Sequence, residues 1–335
     1  MVYRDDVADP VPGPGQVLVS VTACGVCGGD RHFATHSALM AELGAQLAGA
    51  PTLTDGLDLT SDVFMGHEFA AEVIEAGPGT AAPPPGTAVT SIPALMSTEG
   101  MQPLLYSNDM PGGYAERMLL SASLLLPIPN GLDPGHATLA EPMAVGLHAV
   151  NKSGIERGQG AVVVGCGPAG ISVIAALNVL GIEPIVASDF SGARRELGRL
   201  FGAHEVVDPA SEPVFDAWNR HAKGAPVVFE AVGVPGMLNE VLRHAPLNTH
   251  VVVVGACMEP DTLTPYFGIA KEMSFQFVQA YEPHEFAESL RRVADGEIAV
   301  APLITGEVAL EDVSAAFTDL ADPDRHCKIL VLPNR

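Results

Sequence analysis

The sequence predicts an α/β protein in which a β-rich domain is joined to a doubly wound parallel-sheet domain. Three observations carry this reading. A length of 335 residues leaves room for about two domains. Residues 16–126 are short apolar runs broken by Gly and Pro, the grammar of strands and turns. From about residue 160, strand-like and helix-like segments alternate, as βαβ units and a parallel sheet require.

Taken in order, strands are expected over residues 16–21, 72–76, 87–92 and 114–120, with Gly77-Pro78-Gly79 and Pro83-Pro84-Pro85-Gly86 as turns. The stretch 32–65 is the least regular. Residues 37–47 read as a helix and 51–62 as a loop. Such an insertion is either a pocket wall or a solvated excursion. The second half reads as strand 161–164, helix 169–180, strand 184–187, helix 193–201 and strand 204–207. Strand 227–229, helix 236–244 and strand 250–254 follow, and the tail adds a helix over 283–294 and a strand over 328–332.

Composition excludes several functions. Lys plus Arg number 17 against 40 Asp plus Glu, a net charge of −23 that repels phosphate backbones and anionic headgroups. Neither nucleic acid nor a membrane surface is an expected partner. The longest apolar runs, such as 251–254, are far too short to span a bilayer. The five cysteines, an odd number, do not read as a secreted disulfide framework. The first residues, Met1-Val2-Tyr3-Arg4-Asp5-Asp6, have no apolar core of a signal peptide. A soluble cytoplasmic protein is expected.

The first motif is Gly165-Cys166-Gly167-Pro168-Ala169-Gly170 between a strand and a helix. Gly165 permits the tight turn, Gly167 lets a pyrophosphate approach the backbone, and Gly170 lets the helix pack on the strand. The helix N-terminus offers free N–H groups and the positive end of its dipole. Asp189 follows 19 residues after Gly170, at the end of the next strand. A carboxylate there accepts from the ribose 2′-hydroxyl of NAD and repels the 2′-phosphate of NADP. This is a Rossmann fingerprint, with NAD expected over NADP. Arg194 and Arg195 either hold a phosphate, pack on the adenine or form a solvated helix face.

The second constellation is Cys27-Gly28-Gly29-Asp30-Arg31-His32 with Gly66-His67-Glu68, and Glu141 further on. Thiolate, imidazole and carboxylate are zinc ligands, and a catalytic zinc keeps three protein ligands and one open position. Taken singly, each residue is as readily structural.

In this order and ahead of the glycine-rich loop, these residues resemble the zinc-dependent medium-chain alcohol and polyol dehydrogenases. The resemblance runs over nearly the whole chain. It includes Pro12-Gly13-Pro14-Gly15-Gln16-Val17, Gly112-Gly113-Tyr114-Ala115-Glu116, Glu141-Pro142, Phe229-Glu230-Ala231-Val232-Gly233 and Val254-Gly255-Ala256. It implies a GroES-like β-rich catalytic domain formed by residues 1–145 and 282–335, and a Rossmann domain formed by 146–281. It places Cys27, His67 and Glu141 at the catalytic metal. Glu68 ligates the metal directly or exchanges with water, and Asp30 orients His67. Val145, Val232 and Gly255 line the cofactor, and Cys24 is an ordinary buried residue. The family forms both dimers and tetramers, so a homo-oligomer is expected.

Three departures follow. Residues 92–112 contain no Cys, so one catalytic zinc and no structural zinc is expected. Gly29 stands where the family has Ser or Thr, whose hydroxyl passes on the substrate proton. The relay then needs water, the cofactor ribose or His32, whose ordinary pKa lies near neutrality; His32 is otherwise a surface or supporting residue. The chain also starts abruptly, about ten residues short of its relatives, which reads as a truncation or an unusual sheet edge.

The implied reaction is hydride transfer between an alcohol, secondary or bulky given Gly28 and Gly29, and NAD, with zinc as Lewis acid. A metal-free reductase of conjugated carbonyls on the same fold accommodates Gly29 but leaves Cys27, His67, Glu68 and Glu141 without a purpose. A non-catalytic NAD-binding protein leaves both motifs unexplained.

Overall fold

The computed structural model describes every residue except 48, 50, 98–99 and 222–223. Among the described residues, a seven-stranded sheet and a six-stranded sheet organise the chain. The central strand of the first, Gln16–Gly25, alternates Val17, Val19 and Val21 into the core, each fully buried. Along one side it pairs antiparallel with Glu68–Ala76, which sets Glu68 opposite Gly25. Along the other, Arg117–Ser121 pairs with its first half, and Lys328–Val331 pairs with Cys24 and Gly25 at its end. The last strand of the chain thus lies against the same strand end as Glu68. Ile304–Val308 extends that edge in parallel, and Ala88–Ser91 with Leu125–Pro127 extends the opposite one.

The second sheet is wholly parallel, with strands in the order 205–207, 185–188, 161–164, 227–230, 250–253, 274–277. The direction of winding reverses between 161–164 and 227–230, the crevice where such sheets bind ligands. The valines of the three strands 161–164, 227–230 and 250–253 are all buried, as the centre of a parallel sheet covered on both faces requires. The helix Ala140–Ser153 packs on Pro168–Val179 and Pro283–Ala294. Gly146 makes the first crossing possible, since a Cβ there would sit 2.3 Å from the Ser172 carbonyl carbon.

Most expected elements form within a residue or two of their predicted ends. The strand expected over 16–21 runs on to Gly25, that over 72–76 starts already at Glu68, and that over 114–120 starts only at Arg117. The stretch 32–65 needs the larger correction. The helix expected over 37–47 begins at Gly28 and runs to Gln46, kinked at His36 with φ −130° and ψ 18°. Two glycines in the first turn hide it, being poor helix formers. The Cys27 side chain caps it, its Sγ accepting from the Gly29 N–H at 3.3 Å. Residues 51–62 form no regular helix or strand, as expected. The strand Ser274–Phe277, the helix Ala140–Ser153 and the short pairing of Phe64–Met65 with Tyr106–Ser107 are additions to the sequence reading. No described helix is long and apolar enough to cross a membrane.

Candidate metal centre and nucleotide loop

The capped helix start and the Gly25–Glu68 pairing bring three ligand types together. Ligand atoms of Cys27, His67 and Glu68 all lie within 4.8 Å of one another. Burial, with the Glu68 charge adding, pushes the Cys27 thiol up, so a cation is the group that would let it ionise. His67 Nδ1 stands 3.2 Å from Asp30 Oδ1, yet neither atom completes a well-formed hydrogen bond. Asp30 is fully buried and fixed by the Tyr114 hydroxyl, which donates to its Oδ2 at 2.5 Å. With Nδ1 turned to Asp30, the other ring nitrogen is free to bind a metal. A thiol, an imidazole and a carboxylate converging within 4.8 Å fit a zinc ion.

Glu141 stands apart from this trio. It sits in the first turn of Ala140–Ser153, 9% exposed, and burial pushes its carboxyl up to about 7; Glu68 adds to the rise while His67 and Lys328 oppose it. Val145 is one helical turn further on, half-buried. His32 lies on the outer side, lining a groove of about 450 Å³ with Gly28, Arg31, His36 and Phe317. Burial and the neighbouring charges of His36 and Arg31 lower its pKa. Cys24 is fully buried in the strand, as expected.

The glycine-rich loop closes as the sequence requires. Gly165 has φ +94°, and a Cβ at Gly170 would fall 1.9 Å from the Gly165 carbonyl oxygen. Gly167 caps the helix Pro168–Val179, with Pro168 and Ala169 in its first turn. Asp189 ends the adjoining strand, accepting from the Cys166 N–H at 2.8 Å and the Ser191 N–H at 2.8 Å. Arg194 reaches back to this loop: a Cβ on Gly167 would lie 3.7 Å from its Nη1, and its buried Nε has no partner. Arg195 turns to the Asp189 and Phe190 carbonyls instead. Across the crevice, Glu230 Oε1 accepts from the Val232 and Gly233 N–H groups, and Gly255 packs on Gly233.

The chain matches two family models, the alcohol dehydrogenase GroES-like domain over residues 13–130 and the zinc-binding dehydrogenase over 168–295. It is 30% identical to (R,R)-butanediol dehydrogenase of Bacillus subtilis (strain 168), covering 98% of this chain and 96% of that protein. The chain belongs to the zinc-dependent medium-chain alcohol and polyol dehydrogenases. The crystal structure of 2R,3R-butanediol dehydrogenase from Bacillus subtilis superposes with a TM-score of 0.81 at 28% identity, covering 98% and 96% of the two chains. A structure from Sinorhizobium meliloti 1021 that is bound to NADP gives 0.78 at 26% identity, covering 98% and 94%. This medium-chain dehydrogenase is therefore an alcohol dehydrogenase-like oxidoreductase acting with zinc and a nicotinamide dinucleotide on small alcohol or carbonyl substrates, and the conjugated-carbonyl alternative is not favoured.

Four residues of the dehydrogenase site escaped the sequence reading. Lys328 donates to both Glu68 oxygens at 2.7 Å and to the Val26 carbonyl at 3.1 Å, with both charged side chains buried. Tyr106, Tyr114 and Tyr281 surround the ligand set, and Tyr281 lies beside Glu141. No motif flags Lys328, Tyr106 or Tyr281, and Tyr114 stands in the Gly112–Glu116 run without a role; pairing between distant strands brings in Lys328 and Tyr106. A lysine inside an otherwise apolar last strand was the one available signal.

Proposed function

We propose that the chain oxidises a small secondary alcohol, with a vicinal diol such as 2,3-butanediol as the first candidate, to the ketone with NAD. One zinc is held by Cys27, His67 and Glu141, with Glu68 beside it. The convergence of Cys27, His67 and Glu68 within 4.8 Å is the observation that carries this. The butanediol dehydrogenase likeness supports the substrate class. The bound ion supplies Lewis acidity at the substrate oxygen.

The chain's own residues do the rest. Asp30, held by Tyr114, keeps the His67 ring turned toward the site. Lys328 donates to both Glu68 oxygens and balances that buried charge. Gly165, Gly167, Pro168, Ala169 and Gly170 cradle the pyrophosphate at the helix N-terminus. Asp189 selects the ribose hydroxyls of NAD, with Arg194 the residue that would favour NADP. Val145, Val232 and Gly255 border the nicotinamide side.

We assign residues 1–145 and 282–335 to the catalytic unit and 146–281 to the cofactor unit; the pairing of Lys328–Val331 with Gln16–Gly25 supports this. A cytoplasmic homo-oligomer completes the reading. The oligomer is supported by the outer strand Ser274–Phe277, which is hydrogen-bonded on one side and carries an exposed Phe277, with Tyr266 and Ile269 also exposed on the helix Pro265–Lys271. The test is metal analysis with NAD and NADP assays on 2,3-butanediol. One zinc per chain with NAD-preferring oxidation is expected; a zinc-free active protein, or turnover of enones alone, overturns it.

A further inference from the structure

Gly29 has neither a conformational nor a steric reason to be glycine. Its φ lies outside the left-handed region, and an added Cβ would meet only Cys27 Sγ at 3.6 Å and the Tyr106 hydroxyl oxygen at 3.8 Å, ordinary contacts. A serine would fit. What occupies the neighbourhood of the absent side-chain hydroxyl is another hydroxyl, brought from 77 residues away by the pairing of Met65 with Tyr106.

Three tyrosines surround the ligand set. Tyr114 donates to Asp30, and Tyr281 lies beside Glu141. Among the described residues, the Tyr106 hydroxyl makes no hydrogen bond. Its ring is held in place: Phe33 stacks on it with centroids 3.9 Å apart and planes 12° from parallel. Burial, then the charges of Asp30 and Cys27, disfavour its ionisation. A hydroxyl that stays neutral can accept one proton while releasing its own, and so conducts without titrating.

We propose that the Tyr106 hydroxyl replaces the one missing at Gly29, binding the substrate hydroxyl beside Cys27 and passing its proton out of the site. The proposal deepens the dehydrogenase reading and rests on it. The balance is simple. The substrate O–H proton moves to Tyr106 Oη as the tyrosine proton moves to water. The C–H electron pair leaves as hydride to the nicotinamide, the oxidant already named.

Tyr106→Phe keeps the ring and its stacking on Phe33 but removes the oxygen. Its metal content and melting temperature should match the parent. Its kcat/KM for 2,3-butanediol oxidation should fall about 100-fold, within the usual range for lost proton-transfer groups. Adding Gly29→Ser to Tyr106→Phe should restore at least about 10-fold of that loss, since the serine hydroxyl enters the same space. A readout free of turnover is calorimetric binding of trifluoroethanol to the NAD-loaded protein, expected to weaken in Tyr106→Phe. Unchanged kcat/KM and trifluoroethanol affinity in Tyr106→Phe would overturn the proposal. So would a loss that Gly29→Ser leaves untouched. If the parent protein itself oxidises no alcohol, the dehydrogenase reading falls and takes this inference with it.

Discussion

Lys328 Nζ lies 2.7 Å from both carboxylate oxygens of Glu68, with 1% of each residue exposed. The pair ties the last strand of the chain to the metal-ligand set. Burial is the largest influence and would lower the lysine pKa, but the Glu68 charge and hydrogen bond together with the Cys27 and Cys327 charges outweigh it and hold the ammonium above its ordinary value. A cation so raised contributes its stability at neutral pH and loses it only as pH climbs through the folded value. Lys328→Met should strand a buried carboxylate and cost about 3–5 kcal/mol, read by urea unfolding. A change under about 1 kcal/mol would mean that the pair adds nothing that another partner of Glu68 cannot replace.

Cys27 is the proposed ligand with the least redundant chemistry. Cys27→Ser should lose the zinc found by metal analysis and, with it, alcohol oxidation. The same substitution puts a better capping group at the start of Gly28–Gln46, so the fold itself should hold. Retention of both zinc and activity would remove Cys27 from the metal site.

Asp189 and Arg194 are the residues proposed to set cofactor choice. Asp189→Ala removes the proposed ribose acceptor and frees two backbone N–H groups, those of Cys166 and Ser191. The dissociation constant for NAD should rise at least about 10-fold, the effect of losing a hydrogen bond to a charged group. NADP should suffer less, because the repelling carboxylate is gone. Fluorescence titration with each dinucleotide reads both numbers; equal weakening would show that Asp189 shapes the loop without discriminating.

Glu285 gives a pH dependence away from the site. Burial raises its carboxyl, but the Glu282 N–H, Asn151 and His148 outweigh that and hold it below the ordinary glutamate value. A carboxyl depressed by folding stabilises above its unfolded pKa, and the contribution is lost as pH falls through the folded value. Glu285→Gln should therefore cost roughly 1–3 kcal/mol near neutrality. The gap to the parent should close as pH drops below about 4.3, the unfolded glutamate value. Thermal unfolding across pH checks this, and a gap constant with pH would contradict it.

The exposed strand Ser274–Phe277 makes the oligomer testable. Phe277→Glu should shift light-scattering mass toward the monomer. An unchanged mass would place the interface elsewhere or leave the protein monomeric.

Much of this was legible in the sequence because the signals are local. The turn at Gly165 and the Val-rich strands each lie within a few consecutive residues, and Cys27, His67 and Glu141 each sit in a short motif of its own along the chain. The helix Gly28–Gln46 was half hidden because Gly28 and Gly29 oppose helix formation, and only the Cys27 cap and the downstream residues sustain it. Lys328 and Tyr106 were invisible for a different reason. Their positions depend on strand pairings between residues 24–25 and 330–331, and between 65 and 106, which no window along the chain contains.

The central claim is that Cys27, His67 and the neighbouring carboxylates hold one zinc that alcohol oxidation requires. The most direct measurement is NADH formation from 2,3-butanediol by chelator-stripped protein titrated with zinc. The account predicts no activity without metal and a linear rise that saturates at one zinc per chain. Full activity in the stripped protein, or saturation only at two zinc ions per chain, would contradict it.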